Sequence, residues 1–284
     1  MAKRPRRGEP VRNLVCFGDT HSGCQLALCP PEGATLDNGG HYTPSALQHK
    51  MWKLWREFWD VWVPEATDGE PFASVHLGDA LDGCHHGSTN QISQNLSDQA
   101  RIAETLLTPI VQASTLGYYH IRGTGAHVGE SGMHEEQLAH NLGAIPNAIG
   151  QYARYALWKN VGARLVNCLH HVGTTGSQHA ESTGIHRELM EALLEAGRWG
   201  HRPPDVVVRG HRHRYIETSI PTVNGKAFGV VLPGWQARTS FAMKIAGARQ
   251  SEPQFGGLLI RWSEKRGELF VREKVWSVDR EEAE

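Results

Sequence analysis

The sequence predicts a layered α/β protein built on two β-sheets. Two observations carry that reading. The first half of the chain alternates short apolar strands with amphipathic helical stretches, a βαβαβ order that builds parallel pairing. Roughly the last 60 residues run strand after strand, as antiparallel meanders do. A single open dinucleotide-type sheet would lack that second part.

The elements follow in order. Residues 11–17, VRNLVCF, form the first strand. A long Gly- and Pro-containing loop over 22–42 comes next, of a length that often serves function. A helix covers 44–63, with Thr43 as N-cap and Pro44 in the first turn. Its Trp52, Trp55, Trp59 and Trp62 recur three and four apart, on one face. That face is read as core-directed, with a base-stacking platform as the sharper alternative. FASVHL (72–77) and GYYHIR (117–122) are strands, and the helix between them starts at Ser97 and runs to 115. Further helices cover 133–142 and 182–197. The remaining strands are ARLVNCL (163–169), DVVVR (205–209), KAFGVVL (226–232), GLLIRW (257–262) and ELFVREKVW (268–276), each rich in β-branched or aromatic residues.

Composition bounds the function. With 39% apolar and 21% charged residues over 284 positions, the chain can bury a sizeable core. A net charge of −1 excludes a globally basic nucleic-acid binder, leaving only local patches. No stretch is apolar enough for a transmembrane helix or a signal peptide, so no membrane partner and a cytoplasmic location are expected. Five scattered cysteines form no CxxC pair and fit reduced thiols. One domain is expected over 11–278, between a basic flexible tail (1–10) and an acidic tail (279–284).

The histidines are many, 17, and they are placed rather than scattered. VCF is followed by GDTH, with Asp19 and His21. SVHL is followed by GDALDG, with Asp79 and Asp82. YYHIR is followed by GTGAH, with His127; LVNCL by His170 and His171; VVVR by GHRH, with His211 and His213. Five strands thus end in titratable or metal-ligating residues, usually after a glycine that lets the backbone approach a ligand. Strand ends of α/β sheets converge on one edge. In D-x-H and H-x-H the side chains share a face if strand geometry continues. Asp oxygens mixed with His nitrogens and no thiolate suit Mn2+, Fe or Zn2+.

In order, GDTH, GDALDG, GTGAH, LHH and GHRH resemble the signature of the calcineurin-like metallophosphoesterases, over roughly residues 14–235. The Trp-rich helix and the LCPPE loop resemble phage or prophage members, which would place the protein in a host cytoplasm. The resemblance implies an αββα sandwich of two mixed sheets flanked by helices, and a centre of two divalent ions, Mn2+ foremost, with Fe, Zn2+ and Ni2+ as alternatives. It implies Asp19, His21 and His213 on the first ion, Asp79 shared, and His170 and His211 on the second. His127 matches the family's catalytic histidine, which protonates the leaving group, as an imidazolium could, or steadies the transition state. Asp82 matches an acid that orients a neighbour. The third motif departs from the pattern: Thr124 stands near the position of a ligating Asn, and His127 comes two residues late. The second site is therefore expected to be weaker, or to be completed by water or by another residue. His170 is favoured over His171 as its ligand.

The implied chemistry is attack of metal-activated water on phosphorus. Arg122, Arg209, Arg212 and Arg214 flank the proposed ligands and are candidates for phosphate binding, Arg122 and Arg212 foremost. The expected substrate is a phosphate ester: a phosphodiester, nucleic acid included, ahead of a phosphomonoester. A non-catalytic metal-binding scaffold is the reading from another class. Other motifs fail. GTGAHV lacks the third glycine of a dinucleotide loop, and no P-loop is present. HEEQLAH (134–140) spaces its histidines too widely for a zinc-protease helix, and His179 and His186 read as surface or core residues.

Overall fold

The computed structural model describes residues 10–85, 87–129, 131–173, 180–240 and 252–277. The expected tails, apart from Pro10, and His179 lie outside the described residues.

Two mixed sheets stack face to face. The first has six strands, in the order β13 (Glu268–Ser277), β12 (Gln254–Ser263), β1 (Asn13–Phe17), β4 (Ala73–His76), β5 (Tyr118–Ile121) and β6 (Ala153–Arg154). Strands β1, β4, β5 and β6 run parallel, while β12 and β13 add an antiparallel edge. The second has five, in the order β10 (Ile216–Thr222), β11 (Gly225–Val231), β9 (Val206–Arg209), β8 (Arg164–Cys168) and β7 (Leu157–Val161). Its inner trio β11, β9 and β8 is parallel, and both edge strands are antiparallel. A small hairpin, β2 (Ala34–Thr35) with β3 (His41–Tyr42), sits in the long loop.

Three apolar clusters define the layers. Leu14, Cys16, Val75 and Ile121 of the first sheet meet Val166, Cys168, Val206 and Val208 of the second. The opposite face of the first sheet, with Val15 and Phe17, packs against the helices α1 (Ala46–Glu57), α2 (Val63–Ala66) and α3 (Leu96–Ala113). Between α1 and α2 the chain makes a π-helical turn over Phe58–Trp62. Later come the one-turn α4 (Gly125–Val128), then α5 (Met133–Asn141), whose Leu138 and Ala139 join the same cluster. The outer face of the second sheet, with Val207 and Val231, is covered by Ile185 and Leu189 of α6 (Thr183–Trp199). The expected αββα order is what the chain adopts, because alternate residues of the buried strands feed two different cores.

The tryptophan stripe is structural: Trp55, Trp59 and Trp62 are buried and Trp52 packs against them. Helix α1 begins two residues later than the sequence suggests. Ser45, not Thr43, is the N-cap, in a reciprocal capping box with Gln48. The long loop is largely structural too: Cys24, Ala27, Leu28 and Cys29 are buried, and Gln48 Nε2 donates to the carbonyls of Cys24 and Ala27. Among the described residues, no helix is long and apolar enough to cross a membrane.

Candidate metal centre

The carboxyl ends of β1, β4 and β5 from one sheet and of β8 and β9 from the other meet at a common edge. There the chain brings together two adjacent groups of ligand-type residues. Asp19, His21 and His213 form one; Asp79, His170 and His211 form the other; Asp79 also groups with His21 and His127. These were the residues expected to converge.

The local cause differs from the expectation that strand geometry continues through D-x-H and H-x-H. Asp19, His21, Asp79, His211 and His213 all adopt positive φ, from 42° to 75°. Among the described non-glycine residues only Asp68 shares that conformation. The side chains converge because the backbone turns through the left-handed region after each strand. Non-glycine residues occupy that region at a cost, and such strain gathers at functional sites. Glycines beside the ligand residues allow close approach. A Cβ on Gly210 would lie 2.9 Å from Asp19 Oδ2, and one on Gly234 2.8 Å from His213 Cγ.

In the first group, His21 Nε2 and His213 Nε2 face each other at 3.1 Å. Asp19 Oδ1 lies 3.4 Å from His213 Nε2, and Asp19 accepts the His211 amide on both oxygens. In the second, His170 Nε2 is 3.0 Å from Asp79 Oδ2, and His170 Nδ1 donates to the Leu77 carbonyl at 2.6 Å. A ring whose far N–H is given to a backbone carbonyl presents its other nitrogen in a fixed direction, as metal-holding histidines do. His171 is exposed instead and stacks on His211. Thr124 stands inside the second group. Its hydroxyl is 3.1 Å from Asp79 Oδ2, 3.0 Å from His170 Nε2 and 3.3 Å from His211 Nδ1.

His127 reaches the centre despite its displacement in sequence. The single turn of α4 folds it back, so that its ring lies 4.6 Å from that of His21 and its Nε2 3.9 Å from Asp79 Oδ2. Its Nδ1 donates to the Asp82 carbonyl at 2.6 Å. Asp82 lies 3.4 Å from His21 Nδ1 and accepts Gln91 Nε2 and Gln236 Nε2 at 2.7 and 2.9 Å. Gln91 and Gln236 carry no sequence signal, because neither belongs to a motif; Gln236 is also remote in the chain from Asp82. His85, whose ring is 4.3 Å from that of His127, was also missed: GCHHG matches no part of the motif set.

Electrostatics follow from burial and pairing. Burial raises the Asp19 carboxyl, but His213 and then His170 overcome it and hold it at about 2. Asp79 is likewise held well below its ordinary range by His170, His127 and His21, against burial. Burial lowers His170, and Asp79 with Asp19 outweighs it, lifting the ring to about 10. His127 is pushed down to about 4 by burial and by His21. Near neutral pH it is therefore a neutral imidazole. Burial and His170 also push His211 down to about 4.

The arginines do not line this centre as free cations. Arg122 donates to the Ser131 carbonyl and Tyr155 hydroxyl and pairs with Glu136. Arg212 donates to the Gly173 carbonyl. Arg209 is buried against Glu188 and Asn167, and Arg214 pairs with Glu181. Arg122 and Arg212, the residues expected to bind phosphate, thus each make hydrogen bonds within the fold.

The donor chemistry fits divalent cations. Two clusters mix carboxylate oxygen with imidazole nitrogen, and the ring nitrogens His21 Nε2 and His213 Nε2 face each other at 3.1 Å.

No family model and no curated protein matches the chain. Solved structures do. A single mutant of Vps29 from Entamoeba histolytica is 10% identical, covering 93% of this chain and 99% of that one, with a TM-score of 0.34. The Thermus thermophilus sulfate thiohydrolase SoxB, solved with glycerol, is 13% identical, with a TM-score of 0.39 over 94% of this chain and 57% of SoxB. A Thermotoga maritima protein solved by NMR is 12% identical, with a TM-score of 0.37 over 94% of this chain and 100% of that one. At that level of likeness the geometry of the site carries the functional reading.

Proposed function

We propose that the chain is a metal-dependent phosphoester hydrolase of the calcineurin-like kind, acting on phosphodiesters, with two divalent cations, Mn2+ foremost. The observation that supports it best is the convergence of Asp19, His21, Asp79, His211 and His213, all at positive φ, onto two adjacent ligand groups. Asp19, His21 and His213 would hold one cation; Asp79, His170 and His211 the other, with the Thr124 hydroxyl beside it. When bound, the cations polarise the phosphoryl group and make water acidic enough to attack it. His127 works at Nε2. Its Nδ1 proton is given to the Asp82 carbonyl, so Nε2 is bare near neutral pH. It can take a proton from the attacking water and return it to the departing ester oxygen as the P–O bond breaks. Asp82 keeps His21 and His127 in place.

The committed arginines favour a diester. A diester brings one negative charge to the centre and a monoester two, and Arg122, Arg209, Arg212 and Arg214 already make hydrogen bonds or ion pairs within the fold. Nucleic acid is within this substrate class. The test is Mn2+-dependent hydrolysis of bis-p-nitrophenyl phosphate against p-nitrophenyl phosphate, beside His213→Ala. Preference for the diester, lost in the variant, is expected. Preference for the monoester would turn the reading to a phosphatase. Bound Mn2+ without turnover of either would turn it to a metal-binding scaffold.

A further inference from the structure

We infer that Glu135 is a positioning residue of the metal centre, whose carboxylate clamps together the loops carrying Asp79 and Thr124. This rests on the dinuclear reading above.

Glu135 stands on α5, in the HEEQLAH stretch that matches no metal motif, and it is fully buried. A buried carboxylate is costly unless its oxygens are satisfied. Here three N–H donors do so. Oε1 accepts the Ala80 amide at 3.1 Å and faces His120 Nε2 at 3.0 Å. Oε2 accepts the Gly123 amide at 2.6 Å. Ala80 directly follows Asp79, and Gly123 directly precedes Thr124. Each arm of the clamp therefore ends one residue from the second ligand group. On the centre's own side the same two loops are joined by the Thr124 amide and hydroxyl, which donate to Asp79 at 2.6 and 3.1 Å. Between them there is no slack: a Cβ on Gly78 would lie 2.7 Å from Gly123 Cα.

The clamp has a backing. His120 Nδ1 meets the Tyr118 hydroxyl at 2.7 Å, and the His120 ring stacks on His76 at 4.9 Å. His76 Nε2 meets Thr20 Oγ1 at 3.0 Å, and its Nδ1 accepts the Gly78 amide at 3.2 Å. Thr20 lies between Asp19 and His21, so the network reaches the first ligand group as well. His76, His120 and Glu135 are metal-ligand types set close together. Every one of their ligand atoms is already taken by these bonds, so the trio is a strut rather than a third cation site.

Glutamine cannot replace Glu135. Its NH2 would set a donor against a backbone or imidazole N–H. Aspartate keeps the charge but is one methylene short. The experiment compares EDTA-stripped wild type, Glu135→Gln, Glu135→Asp and the control Asp205→Asn. Asp205 accepts the Leu165 amide and pairs with Arg164 at the start of β9, the end away from the centre. Mn2+ affinity is measured by calorimetry, and amide hydrogen exchange at Ala80 and Gly123 in the metal-free state. Weakening of Mn2+ binding by about 10- to 100-fold in Glu135→Gln is expected, with faster exchange at both amides. Asp205→Asn should lose thermal stability and keep its Mn2+ affinity. Glu135→Asp carries the same expectation if the glutamine variant does not fold. Wild-type Mn2+ affinity in a folded Glu135 variant would overturn the assignment. Wild-type protein that takes up no cation would instead overturn the metal centre, and this role with it.

Discussion

At the residue scale, the Asp79–His170 pair sets how the metal-free protein responds to pH. The His170 pKa is raised from 6.5 to about 10, so the pair's stabilisation is complete below 6.5 and is lost as pH rises through about 10. Asp19 is depressed from 3.8 to about 2, so its contribution is present above 3.8 and lost as pH falls through about 2. EDTA-treated protein should therefore show a urea midpoint that declines on the alkaline side, whereas the alkaline decline should be smaller in His170→Ala. A second consequence concerns protons. His170 is protonated near neutral pH, so a cation at its group must displace that proton. Mn2+ titrations in buffers of different ionisation heat should report proton release, and affinity should rise with pH. Thr124 is the residue whose role the sequence left open. Its hydroxyl is a poor neutral ligand, but it stands where a better one could. Thr124→Asn should bind the second cation more tightly, and Thr124→Val about tenfold or more weakly, read by calorimetry. The ligand types were legible in the motifs because each follows a strand end. Glu135, Gln236 and His85 were not, because their importance lies in partners brought together from distant parts of the chain, and Gln91 was not, because it stands outside every motif.

At the scale of elements, the parallel trio β1, β4 and β5 delivers its loops to one edge, and glycines let those loops touch. Gly78 has φ +90°, and a Cβ there would meet Gly123 backbone at under 3 Å. Gly78→Ala should therefore separate the Asp79 and Thr124 loops and cut Mn2+ affinity. Trp55→Ala is the contrast. Trp55 sits on α1 in the helical layer, buried to 1% exposure, and its loss should cost about 3–5 kcal/mol of stability in denaturant titrations. The expected strands and helices all appear, within a few residues. Strand β10 escaped notice because Pro221 interrupts a weak alternation, and β7 because Trp158, Lys159 and Asn160 disguise a short edge. Both are edge strands, where pairing on one side and solvent on the other weaken the pattern.

At the scale of the whole molecule, the centre lies across the two sheets. His170 of the second sheet's strand end donates to Leu77 at the end of β4, and Asp19 after β1 holds the amide of His211 after β9. A cation gripped by both sheets binds the folded state and not the unfolded chain. Mn2+ at about 100 times its Kd should stabilise the protein by about 2.7 kcal/mol, and EDTA should reverse this. His213→Ala should lose part of that gain, measured as the Mn2+-dependent shift in thermal midpoint.

The sequence by itself determined the layered α/β class and most of its elements, because buried strands and amphipathic helices impose periods that can be counted. It also determined which side chains could carry the chemistry, since the motifs recur at successive strand ends. Tertiary structure alone decided that these ends meet. It turned Asp19, His21, Asp79, His211 and His213 inward through left-handed backbone, folded His127 back toward Asp79, tied the arginines to partners within the fold, and placed Glu135 behind the centre. Those outcomes depend on contacts between residues far apart in the chain, for which a local pattern of side chains contains no term.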